Sequence, residues 1–401
     1  MKLPNSWTKE PLHKVLLTLK DGTHFSPKST SGAFKYITSK NIKFGTMDLS
    51  DISYISEEEH RKIFKASPVQ YGDVLLTKDG ANTGNAALNV LAEEFSLLSS
   101  VAILSGKKNI LVNNFLIQIL LSPMGQSLIK SQMAGQAITR LTLKKIGELV
   151  FPIPPLPEQK KIAKILSTWD KAITTTEQLL ANSKQQKKAL MQQLLTGKKR
   201  LPGFSGQWCK RLISEFIIES RTPGNTGDIA KKITIKLYGQ GVIQKKETRS
   251  GSESTKYYIR KSGQFIYSKL DFLNGAFGII PENLDGYEST LDLPAFNFLP
   301  EVCPKWFLYF VSREEFYKAN LGLANGGRKA RRVNPKELLE LKVHSPSLKE
   351  QQKIATILST ADKEIETLQQ KLDCLKQEKK ALMQQLLTGK RRVNVDELEV
   401  A

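Results

Sequence analysis

The chain has 401 residues, of which 40% are hydrophobic and 25% charged, and it carries a formal net charge of +21 at pH 7. That is enough for two or three ordinary cores, and the apolar runs, such as Phe115–Leu121, are far too short for a membrane span. The opening MKLPNSW has no secretory h-region, and Cys209, Cys303 and Cys374 are too scattered for a disulfide framework or a zinc site. The expected compartment is therefore the reducing cytoplasm.

In chain order, Leu3–Trp7 (LPNSW) precedes short β-like runs such as Asp73–Thr77 and Val101–Leu104, broken by Gly, Ser, Asn and Asp. Tyr71–Leu88 places a strand before a turn bearing Lys78, Asp79, Asn82 and Thr83. Asn113–Gln132 reads as one or two helices with a break at Pro123, and the segment from Met133 carries Gln136 and Arg140. Phe151–Gln159 (FPIPPLPEQ) reads as a short stiff linker, held extended by its prolines. It delivers the chain to a helix over 158–196 with a heptad seam of Ile162, Leu166, Trp169, Ile173, Leu180, Leu190 and Leu194. Thr176, Ser183 and Lys187 dilute that seam, and Thr196-Gly197 supplies a glycine C-cap.

The second half opens with another Leu-Pro and Trp in LPGFSGQW (Leu201–Trp208). Lys236, Tyr238, Lys245, Lys246 and Arg249, followed by Lys256-Tyr257-Tyr258, interleave cations with aromatic rings. Ser262–Ile280 repeats the strand-then-turn arrangement with Lys269, Asp271 and Asn274. In LANGGRKARRVNPKEL, Arg328, Lys329, Arg331 and Arg332 follow Gly326-Gly327, ahead of a helix start at Asn334-Pro335. The final helix has its seam at Ile354, Leu358, Ala361, Ile365, Leu368, Leu372, Leu375, Leu382 and Leu386, interrupted by Lys379.

The two long helices are copies of one another. Over 158–200 against 350–392, 30 of 43 residues are identical at a constant offset of 192. The offset holds upstream too: Asn114-Phe115-Leu116 faces Trp306-Phe307-Leu308, Gly135 faces Gly327, Arg140 faces Arg332 and Pro154 faces Pro346. Between about 10 and 105 the halves do not align by eye. The chain is thus two similar halves, each with a variable interior on a common frame. At about 1.5 Å per residue the 39-residue helices are roughly 58 Å rods, and each needs a partner for its apolar seam. The other copy is the obvious one, as an exposed two-helix coiled coil.

Charge by segment is +6 over 1–150, +7 over 151–204, +7 over 205–345 and +1 over 346–401. Both halves are basic, which favours a large polyanion such as nucleic acid. A glycine-loosened basic loop brings guanidinium groups and amides to phosphates. Asn, Lys and Arg suit base edges, while the same Asp and Gly residues also serve as ordinary turn formers. Motifs of catalysis are missing: there is no GxxxxGK[ST], HExxH, GxSxG or GxGxxG, and no Asn/Asp-Pro-Pro-aromatic element.

Several stretches resemble the specificity subunits of type I DNA restriction–modification complexes. They are PIPPLPEQKKIA (Pro152–Ala163), SLKEQQKIA (Ser347–Ala355), the repeated LMQQLLTGK, YGDVLLTKDGA, KLYGQGVI (Lys236–Ile243), IYSKLDFLNGAFGIIP and STLDLPAFNF (Ser289–Phe298). The second copy departs from the first in having Lys349 where Pro157 stands.

The resemblance implies an α+β fold: two globular α/β target-recognition domains related by the internal repeat, separated by two long antiparallel helices forming a coiled coil. The boundaries expected are 1–150 and 201–345 for the recognition domains, 151–200 for the linker and first spacer helix, and 346–401 for the second helix and tail. It also implies double-stranded DNA as ligand and two methyltransferase subunits as partners, with ATP-dependent restriction subunits as further ones. S-adenosylmethionine, ATP and Mg would belong to those partners, and this chain would hold no cofactor or metal. The residues expected at DNA are Lys78, Asn82, Thr83, Gln136, Arg140, Lys236, Tyr238, Lys245, Lys246, Arg249, Lys269, Arg328, Lys329, Arg331 and Arg332. The alternatives are a DNA methyltransferase or nuclease with its own catalytic centre, and a coiled-coil adaptor that never touches DNA.

Overall fold

The structure, a computed structural model, describes residues 3–29, 31–133, 140–246, 251–319, 324–325 and 332–395. It has two compact units, Met1–Glu177 with Gln370–Ala401, and Gln178–Gln369.

In the first unit an antiparallel sheet orders its strands Leu16–Asp21, Val101–Gly106, Val74–Thr77, Ala86–Leu88. Alternation sends Val74, Leu76, Ala102 and Leu104 to the core built on Phe115, Leu116 and Ile119 of the helix Asn113–Leu121. Leu75, Val101 and Ile103 face the other way, toward Ile37, Phe95 and Leu97. Both faces are covered, which is why Val74-Leu75-Leu76 is continuously apolar. Pro123 does break the helical stretch, and a second helix runs Pro123–Met133.

The second unit repeats the sheet with strands Ile217–Ser220, Ala295–Phe298, Phe265–Tyr267 and Phe277–Ile279. Here aromatic residues fill the core, with Phe265, Tyr267, Phe277 and Phe296 packed with Trp306 and Phe307. The halves that cannot be aligned by eye therefore share their main sheet. They part company in the smaller one. In the first unit Phe34–Ile37 lies between Ser53–Ile55 and Ser96–Leu97, the latter parallel to it. In the second, Lys256–Ile259 lies between Pro223–Thr226 and Glu288–Ser289, both antiparallel. A hairpin of Ile233–Ile235 with Val242–Gln244 is added.

The proline-rich entry is more than a linker. Its start, Val150–Ile153, is a strand paired with Thr8–Pro11, just as Lys342–Ser345 pairs with Cys209–Leu212. The long helices run Leu156–Leu194 and Leu348–Leu386, 39 residues each, starting and ending two residues earlier than the pattern predicts. Pro157 fits the first turn, where its missing N–H is not needed. Gly197 and Gly389 take φ of 71° and 73°, as glycine caps do. Gly389 packs on Pro4 and Trp7, and Gly197 on Trp208, which explains why each half opens with a tryptophan.

The Glu-Gln pair at each helix start has two separate jobs. Gln159 accepts from the Val112 amide at 2.9 Å and donates to the Pro154 carbonyl at 2.8 Å; Gln351 does the same with Cys303 and Pro346, at 2.9 and 3.0 Å. Each glutamine thus ties its long helix to the start of an earlier helix, Asn113–Leu121 in the first unit and Pro304–Val311 in the second. Glu158 and Glu350 are buried, and each is gripped by an arginine just past the end of the other long helix. Arg392 bonds Glu158 within the first unit, and Arg200 bonds both oxygens of Glu350 at 2.8 Å within the second. The paired carboxylate holds the Arg200 guanidinium above its usual pKa.

Within each unit the segments of the two helices run antiparallel. In the first, Lys379 pairs with Asp170 and Lys376 with Glu177; in the second, Lys187 pairs with Asp362 and Ser183 donates to Glu364. Ile162, Leu166, Thr176, Leu180, Leu194, Ile354, Leu358, Leu372 and Leu386 are buried along the seam. Trp169, Ile173, Leu190, Ile365, Leu368, Leu375 and Leu382 are half-buried. The seam lysines are therefore register pins rather than defects, because each meets an aspartate of the opposite helix. Reversing one charge, Lys379→Asp, is expected to cost about 1–2 kcal/mol. Adding Asp170→Lys should restore most of it, and a double-mutant cycle on the melting transition checks this.

Candidate nucleic-acid interface

In both units a turn that carries sequence candidates follows the third strand of the main sheet. In the first, the strand Val74–Thr77 delivers Lys78, whose carbonyl accepts from Leu141 at 2.8 Å, and Asp79 bridges Arg140. In the second, Phe265–Tyr267 leads to Lys269, whose carbonyl accepts from Val333 at 3.0 Å. Arg332 there stands 4.0 Å from Asp292, as Arg140 stands 3.3 Å from Asp79. One backbone device thus brings a returning arginine beside the turn in each half.

The side chains differ. Lys78 is 2% exposed, with its ammonium 2.8 Å from Asp79 and 3.3 Å from Asp21. The sequence reading places it at DNA; in the structure it is buried, and two carboxylates already hold the charge that a phosphate would need. Asn82 is exposed and Thr83, half-buried, donates to the Gly80 carbonyl at 2.6 Å. Arg140 is exposed. Lys269, the counterpart of Lys78, is half-buried and borders a groove of about 500 Å³ with Arg221, Lys336 and Glu219. Glu219, 2.9 Å away, raises the Arg221 pKa by its hydrogen bond.

The hairpin Ile233–Ile235/Val242–Gln244 presents Lys236 and Tyr238 on its tip, while Lys245 and Lys246 leave it at the opposite, open end; all four are exposed. The tip is sewn to the next turn: the Tyr238 amide donates to Asn274 and the Gly239 amide to Gly275, both at 2.8 Å. The Tyr238 tip is thereby held against the turn that carries Asp271 and Asn274. Gln136, Arg249, Arg328, Lys329 and Arg331 lie outside the described residues.

Beneath these loops Arg260 is wholly buried. Its guanidinium donates to Ser289 Oγ at 2.8 Å and to the carbonyls of Ser220 and Leu293 at 2.9 and 3.2 Å. Burial lowers its pKa to about 10. The sequence reading missed Arg260 and the Glu158 and Glu350 clamps; for the clamps, the shared 192-residue offset of Glu158/Glu350 and Arg200/Arg392 was the available signal. Among the described residues no group of three or more His, Cys, Asp and Glu side chains is placed to hold a metal, and no helix is long and apolar enough to cross a membrane.

The family model described as "Type I restriction modification DNA specificity domain" matches the chain twice, at residues 16–184 and 208–377. The chain belongs to that family. The two matches fall on the two repeats, and each takes in one main sheet and most of the long helix after it. Among curated relatives, the chain is similar to the type I restriction enzyme MjaVIII specificity subunit of Methanocaldococcus jannaschii, 28% identical over 81% of this chain and 80% of that one. It is also 22% identical to the putative MjaX specificity subunit of the same organism, over 98% of this chain and 95% of that one. Among solved structures, the S subunit of a type I restriction-modification system from M. genitalium matches with a TM-score of 0.60 at 16% identity, over 96% of this chain and 98% of that one. At that identity the likeness concerns the fold.

Proposed function

We propose that this chain is the DNA-reading subunit of a type I restriction–modification complex, recognising a two-part sequence with one unit per half-site. The observation that carries the reading is the pair of family repeats with one sheet plan and unlike loops, joined to antiparallel helix segments. Alike frames with different loops are what two different half-sites require. The helices act as the spacer between half-sites and as the dock for two methyltransferase subunits, with ATP-dependent restriction subunits as further partners. S-adenosylmethionine, ATP and Mg serve those subunits, while this chain performs no chemistry.

The test is a sequence-selection experiment with the full chain in complex with its methyltransferase subunits. Seven residues inserted at matched positions of both long helices preserve the seam and lengthen it by about 10 Å, roughly three base pairs. The expected result is the same two half-sites with a wider gap; an unchanged gap ends the spacer reading. Replacing Arg328, Arg331 and Arg332 by alanine should weaken binding and flatten its salt dependence by roughly one unit of slope per lost phosphate contact. Titrations at several salt concentrations measure this.

A further inference from the structure

The backbone of Tyr238 is in the left-handed region, at φ +58°, although its side chain is 76% exposed. A bulky residue avoids that region unless its surroundings hold it there, and such outliers gather where a protein must aim a side chain. The surroundings here do hold it. The Tyr238 and Gly239 amides are tied to Asn274 and Gly275, and the Gln240 amide closes back on Leu237 at 3.3 Å. Gly275 is itself left-handed, and a Cβ there would come within 3.2 Å of the Tyr238 Cα. Two facing loops therefore hold the backbone of one tyrosine whose side chain is left exposed.

The ring stands at the rim of a cleft of about 840 Å³ that contains Tyr309 and the exposed cations Lys305 and Lys363, with Lys236 beside it on the loop. Lysines suit a nucleic-acid backbone; an exposed aromatic ring carried among them on a held backbone suits the bases. The first unit has no counterpart hairpin among its described residues.

Resting on the function proposed above, we propose that Tyr238 determines specificity in the half-site read by the second unit, through contact of its ring with bases rather than phosphates. In selection experiments with the full chain and its methyltransferase subunits, Tyr238→Ala should lose roughly tenfold discrimination at one or two positions of a single half-site. The other half-site and the salt slope should not move. Tyr238→Phe should keep the preference. Tyr238→Asn, which tolerates the left-handed region, should raise Tm by about 2 °C and still lose the preference. Unchanged base preferences in Tyr238→Ala and Tyr238→Asn, with DNA binding intact, overturn this assignment and leave the proposed function standing. Loss of methyltransferase-subunit association with preferences intact also overturns it, placing the ring in a protein contact. A wild-type chain with no sequence preference removes the proposed function itself.

Discussion

Arg260→Met is expected to destabilise the second unit by about 3–5 kcal/mol, enough to cripple a marginally stable domain. The wild-type guanidinium holds Ser289, the Ser220 carbonyl and the Leu293 carbonyl from inside the core, with the Tyr258 ring 5.6 Å away. Methionine fills part of the volume and supplies no donor, so the Ser220 carbonyl is left buried without this partner. Thermal and urea melts measure the loss. Arg332→Ala, at an exposed position, should stay within about 0.5 kcal/mol of wild type and serves as the control. A melt of Arg260→Met as high as that control would show that the buried network does not stabilise the unit.

Lys78→Met should be comparably severe in the first unit, at about 3–5 kcal/mol, for the opposite electrostatic reason. It leaves Asp21 and Asp79 close together with their shared cation gone. Adding Asp21→Asn to Lys78→Met should recover a large part of the stability, since the triad is then closer to neutral. Should Lys78→Met instead melt like wild type and lose only DNA affinity, the lysine belongs to the interface after all.

What the sequence disclosed follows from the range of each signal. The long helices were legible to within two residues because a heptad seam is local and was written twice. The break at Pro123 and the helix start at Asn334-Pro335 were legible for the same reason, being fixed by the proline itself. The buried setting of Lys78 was not legible because the carboxylate that helps neutralise it, Asp21, is 57 residues earlier (78 − 21), on a strand separated from Val74–Thr77 by Val101–Gly106. The seam lysines looked like defects because Asp170 and Asp362 become their partners only once the helices pair. The Pro-rich entry looked like a linker because prolines signal extension, whereas its pairing with Thr8–Pro11 or Cys209–Leu212 is a long-range event.

The grip of Arg392 on Glu158 also sets an order of events during synthesis. The second unit is one unbroken stretch of chain, Gln178–Gln369, and has all its residues once that stretch has left the ribosome. The first unit, although its translation begins earlier, lacks Met383, Leu386, Leu387 and Arg392 until the second unit has been made, and its core includes three of these beside Ile162 and Leu166. The older half of the protein therefore waits with an uncovered seam for residues made after the second unit. A premature stop near residue 370 should harm the N-terminal unit, far away in sequence, more than the one it follows.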